Sequence, residues 1–115
     1  MISYRHTKYL YLTYKGTISV LLFTDDEIKA RILLKLYRLG KWRASHTSFE
    51  NLKKGFNQRD LGKKGARRVD DVGDDLIKSN WLLSKPTGYG LEVSLNHQFS
   101  QEIVSFIKQF FSDVE

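Results

Sequence analysis

Between Thr24 and Leu39 the apolar residues fall at Ile28, Ile32, Leu33, Leu36 and Leu39, the three-to-four spacing that gathers one face of a helix. Thr24 with Glu27 three residues on makes a capping box, Asp25 and Asp26 suit the positive end of the helix dipole, and Gly40 ends the run. A short link, residues 41–46, has the character of a brief strand. Thr47 and Glu50 repeat the capping pattern ahead of Phe49, Leu52 and Phe56, which predicts a second, shorter helix ending near Gly55–Asn57. The polar, glycine-bearing stretch "NQRDLGKKG" then reads as a turn. A third helix is predicted from about Lys63 to Lys78, with Ala66, Val69, Val72, Gly73, Leu76 and Ile77 along one face and Asn80 as its left-handed terminator.

After that helix the period changes to two. Trp81–Leu83 and Leu91–Leu95 are strand-like, with Leu91, Val93 and Leu95 alternating against Glu92 and Ser94. Between them "KPTGYG" combines the fixed φ of Pro86 with glycines at 88 and 90, so the two runs form a hairpin. Ser100 caps a last helix from Gln101 to about Asp113, where Ile103, Ile107, Phe110, Phe111 and Val114 make a stripe that Val104 and Phe106 widen. At the start, "KYLYLTYKGTISVLLF" fits two strands about Lys15-Gly16. It also fits a strand at Tyr9–Thr13 followed by a helical run at Thr17–Phe23.

With 115 residues, 41% of them hydrophobic, the chain can bury one core, divided here into an N-terminal extension (1–23) and a domain (24–115). No cysteine is present, which removes disulfides, thiol nucleophiles and thiolate metal sites and suits a reducing compartment. The apolar stretch Val20–Phe23 is far short of the roughly 20 residues a bilayer crossing needs, so the expected location is the cytoplasm, with no membrane partner.

Charge placement sharpens the picture. The net charge is +6, but residues 35–70 hold eleven lysines and arginines against Glu50, Asp60 and Asp70. A concentration of this kind points to an anionic partner.

The order of three helices, a two-stranded hairpin and a closing helix resembles a winged helix-turn-helix domain. The stretches that carry the likeness are "FNQRDLG", "KKGARRVDDVGDDLIKSN" and "WLLSKPTGYGLEVSLN", similar to small bacterial and archaeal regulators of the MarR/ArsR type. The resemblance, which covers Thr24 to Glu115, implies an α+β fold: a three-helix core, a two-stranded wing and a C-terminal helix; separately, the strand-like residues 1–23 are expected to pack on that core. The resemblance further implies a transcription regulator that puts its third helix in the DNA major groove and its wing on the backbone or minor groove. Carried onto this chain, the contacts are Lys63, Lys64, Arg67 and Arg68 on the helix and Lys85, Thr87 and Tyr89 on the wing. Lys53, Lys54 and Arg59 extend a phosphate-binding strip.

With Val69, Val72 and Leu76 buried, the opposite helix face presents Lys64, Arg67, Asp71, Asp75 and Lys78. Arginine can fork onto guanine, whereas the acids at 70, 71, 74 and 75 repel a duplex. Arg67–Asp71 and Asp74–Lys78 stand at ion-pair spacing, which offers those acids a purely structural use. The acidic half also supports a rival reading, a protein-interaction module without DNA readout. RNA binding ranks lower because no aromatic stacking platform is evident.

His6, His46 and His97 lack a second ligand at metal spacing, and no nucleophile has a base beside it. The expectation is therefore a non-enzyme with no metal or cofactor, and the sequence identifies no small-molecule effector. The apolar excess of the last helix, Val104, Phe106 and Phe110, suggests a homodimer seam that would match a palindromic site.

Overall fold

The structure, a computed structural model, describes residues 11–14, 17–20 and 22–114, with side chains from Leu22 onward. Two strands open it, β1 (Tyr11–Tyr14) and β2 (Thr17–Val20), paired antiparallel with Tyr11 opposite Val20 and Tyr14 opposite Thr17. This is the two-strand alternative about Lys15-Gly16; the expected packing of residues 1–21 on the core lies outside the described side chains.

Helix α1 (Asp25–Arg38) begins as its sequence dictates. The Thr24 hydroxyl accepts from the Glu27 amide at 3.1 Å, and the Glu27 carboxylate accepts from the Thr24 amide at 3.1 Å. At the other end Gly40 takes φ +66°, its amide donates to Tyr37 O, and the Lys41 amide donates to Leu36 O. That pair of bonds is a Schellman ending, which needs a left-handed residue. Ile28, Ala30, Ile32, Leu33, Leu34 and Leu36 are all buried, because α1 is the spine on which the later helices and the sheet pack.

The next segment departs from its sequence reading. Thr47 and Ser48 form a short strand, β3, and Ser48 rather than Thr47 caps α2 (Phe49–Lys53) by accepting from the Glu50 amide at 3.2 Å. Thr47 is committed to strand pairing opposite Val93. The predicted link strand at residues 41–46 reduces to one bridge, Trp42 with Leu95. The predicted turn holds a further helical turn, α3 (Gln58–Leu61), capped by the Asn57 side chain on the Arg59 amide at 2.9 Å. Gly62 at φ +84° ends it.

Helix α4 (Gly65–Lys78) starts two residues later than expected, because Lys63 and Lys64 belong to the turn after Gly62. Its Val69, Val72 and Leu76 are buried and it packs on α1. Ala66, expected on the inner face, is exposed, and Gly65 lies buried against Leu61 instead. Asn80 at φ +66° closes the helix as predicted, with the Trp81 amide on Leu76 O.

Strands β4 (Leu82–Thr87) and β5 (Gly90–Leu95) form the hairpin, and the sheet runs β3-β5-β4, antiparallel throughout. Leu82, Val93 and Leu95 face the core. Pro86 sits on the edge strand β4 opposite Leu91, one pair from the Thr87–Gly90 closure, so its missing donor points away from the ladder. A 3₁₀ turn, His97–Phe99, capped by Asn96 on the Gln98 amide, leads into α5 (Ser100–Phe110). Ser100 is thus the first helical residue, not the cap. Ile103 and Ile107, with Phe111 and Val114 beyond the helix, close the core over α1.

One contact fixes how α4 meets the sheet. A side chain on Gly73 would put its Cβ 2.7 Å from Phe49 Cε1 and closer still to Cζ. Substituting Gly73→Ala should therefore cost about 1–3 kcal/mol through overpacking, despite the better helix propensity of alanine. Adding Phe49→Leu should recover part of that loss; urea midpoints of the single and double variants measure it.

Candidate nucleic-acid interface

The basic residues of 53–68 are sorted by the fold into two groups. Arg68 is half-buried and fully engaged. Its Nη1 donates to Leu61 O at 2.9 Å, and its Nη2 donates to Phe23 O at 2.6 Å and to Asp25 Oδ1 at 2.9 Å. One guanidinium thus ties α4 to the end of α3 and to the entry of α1. Nothing in the local sequence announces this, because two of the three acceptors are main-chain carbonyls and the segments are 7 and 45 residues away. A planar fork with five donors suits the task, which an ammonium cannot reproduce.

Lys53 is similarly engaged. Its Nζ lies 3.0 Å from Asp70 Oδ1 and 3.3 Å from Glu50 Oε1, joining α2 to α4. The Asp70 hydrogen bond above all holds the ammonium above its ordinary value of 10.5; partial burial opposes this and Glu50 adds to it. The expected pairs Arg67–Asp71 and Asp74–Lys78 are not among the described ion pairs, and Asp70 is the acid with a close basic partner.

The remaining basic candidates are exposed: Lys54 at the end of α2, Arg59 on α3, Lys63 and Lys64 in the turn, and Arg67 on the first turns of α4. Arg59 stands 3.9 Å from Asp60. Lys64 occupies the N-cap of α4 without a side-chain cap, and no acid lies in the first turn, so the positive end of the helix dipole adds to Lys63 and Lys64. A cleft of about 290 Å³ opens beside them, with Lys53, Phe56, Gln58 and Lys63 on its walls.

The hairpin tip is built for projection. Thr87 Oγ1 donates to Gly90 O at 2.9 Å and accepts from the Tyr89 amide at 3.2 Å, locking the turn, while Gly90 takes φ +124°. Tyr89 is fully exposed at the tip, and Lys85 is exposed opposite Glu92. Between α4 and this hairpin lies a groove of about 370 Å³ with Glu50, Asp70 and Asp74 around Phe49, Ile77 and Leu91.

On α5, Val104, Phe106 and Phe110 are half-buried. The Phe106 ring meets Trp81 edge-on at 5.7 Å and Phe110 at 5.3 Å, and Lys29 Nζ stands 5.3 Å over it. The chain itself therefore covers much of Phe106. Among the described residues, no group of three His, Cys, Asp or Glu is placed to hold a metal ion, and no helix is long and apolar enough to cross a membrane. No protein family, no curated protein and no solved structure matches the chain.

Two stability outcomes follow from these ties. Arg68→Met should lower stability by about 1–3 kcal/mol by removing the guanidinium's hydrogen bonds to Phe23 O, Leu61 O and Asp25, and Arg68→Lys should not restore it. For Lys53, a raised folded-state pKa means its contribution is complete below the ordinary value and is lost as pH rises through the folded one. The urea-midpoint gap between the wild type and Lys53→Met should stay constant from about pH 6 to about pH 10, where Asp70 and Glu50 are ionised, and shrink above that.

Proposed function

We propose that this chain is a winged helix-turn-helix protein that binds double-stranded DNA and regulates transcription. The observation that carries the reading is topological. A helix, a short strand, two short helical turns, a long helix and a hairpin follow in order, and the short strand β3 pairs with the second hairpin strand β5. That order supports reading α4 as the recognition helix and the β4–β5 hairpin as the wing.

On this reading the duplex meets Lys54, Arg59, Lys63 and Lys64 through its phosphates, and Lys85 and Tyr89 through backbone or minor groove. Arg67 is the arginine left to read a base edge from the N-terminal half of α4. Thr87 acts by holding the tip. Lys53 and Arg68 act through the fold: Lys53 offsets the charge of Asp70, which otherwise faces the groove beside the wing. A homodimer through the apolar side of α5, with Val104 and Phe110, belongs to the same proposal and would match a two-fold operator.

The acidic groove between α4 and the wing favours one second reading, a module that docks a basic protein segment there without DNA readout. Fluorescence anisotropy with random-sequence duplex across a salt series separates the two. Five phosphate contacts predict a log–log slope of about −4 to −5. Lys63→Ala should weaken all sequences alike and flatten that slope by about one, whereas Arg67→Ala should relax preference at one position by about 1–3 kcal/mol once a site is selected. Absence of binding at low salt would favour the protein-docking reading. Light scattering on the same sample measures the mass.

A further inference from the structure

A second basic surface runs along α1, across Phe56 from the cleft beside Lys63. Arg31, Lys35 and Arg38 occupy positions i, i+4 and i+7, one stripe of about 10 Å along the helix. They stand on the wall of a cleft of about 190 Å³ between α1 and the end of α2, where Ile32, Leu52 and Phe56 supply apolar lining. Arg31 closes one end: its guanidinium rests 4.2 Å over the Phe23 ring and 5.3 Å from that of Phe111. Lys35 and Arg38 are exposed, and neither is among the described ion pairs.

We propose that this cleft docks an acidic segment of another polypeptide, anchored by one phenylalanine or leucine side chain. Three observations select that occupant. Lys35 and Arg38 stand exposed in a row that the stacked Arg31 closes, so an extended acidic segment can follow the helix past both. The depression holds about one aromatic or branched aliphatic side chain, a volume in which a benzene-sized body is known to fit. Its apolar floor, Ile32, Leu52 and the Phe56 ring, offers no hydrogen-bond partner to base heteroatoms, which would lose their water on entering; an apolar side chain loses nothing. Charge complementarity and apolar burial then act together, the first guiding encounter and the second slowing release. This inference does not rest on the DNA-binding reading, since none of its cations belongs to the proposed duplex contacts.

The probe is a fluorescein-labelled short peptide with acidic residues on both sides of one phenylalanine, titrated with the full chain and followed by anisotropy. The same peptide with serine in place of phenylalanine, and an oligothymidylate of similar length, serve as comparisons. The proposal expects the phenylalanine peptide to bind at least about tenfold more tightly than the serine peptide. Lys35→Glu and Arg38→Glu, both exposed positions, should each weaken it by a similar factor while leaving the melting curve unchanged. Equal binding of the two peptides would overturn the anchor. Binding indifferent to both charge reversals would place the contact elsewhere and overturn the site. Oligothymidylate binding more tightly than the phenylalanine peptide, and lost in both variants, would show a nucleic-acid groove instead.

Discussion

The close approach of α4 to Phe49 is the constraint on which the arrangement depends. Helix and aromatic ring can meet at that distance only because residue 73 has no side chain. With the ring seated there, Val69, Val72 and Leu76 turn onto α1, and Asp70 comes within reach of Lys53. Phe49 directly follows β3, which pairs with β5, so the same contact relates the long helix to the hairpin that follows it. The glycine therefore gives up helix propensity in exchange for geometry, a trade that a well-packed interior permits when the approach it allows buries a large ring.

The second organising feature is the division of the basic residues. In sequence, Lys53 and Arg68 look like their neighbours Lys54 and Arg67. In space, one of each pair is drawn inward by partners from distant segments and the other remains in water. A positively charged stretch read along the chain thus overstates what a ligand would meet. What stays in water along residues 53–68 is narrower and better defined: Lys54, Arg59, Lys63 and Lys64 in the turn before α4, and Arg67 on that helix.

Much of the fold was legible. Both long helices carry their stop signals in the residue that must adopt a left-handed conformation, Gly40 and Asn80, and the Thr24–Glu27 box is complete in itself. Such signals are local, and so is the hairpin, whose turn chemistry and alternation lie within fourteen residues of chain. Where the reading slipped, a distant partner decided. Thr47 looked like a helix cap but pairs with Val93, leaving Ser48 to cap; Ala66 lost its inner place to Gly65 because Leu61 lies against the latter. The role of Arg68 was hidden for the same reason: main-chain carbonyls carry no residue identity, so nothing in the sequence marks them as acceptors.

Pro86 has a consequence for how copies of this molecule can meet. The three-stranded sheet has two borders. One is β3, only two residues long, and the other is β4, where the proline ring removes an outward amide one residue before the strand ends. A chain laid along β3 would run out of partners after two residues, and one laid along β4 would miss a ladder bond at Pro86. Backbone pairing between copies through this sheet is thus penalised at both borders, which makes side-chain contacts the less costly route to association.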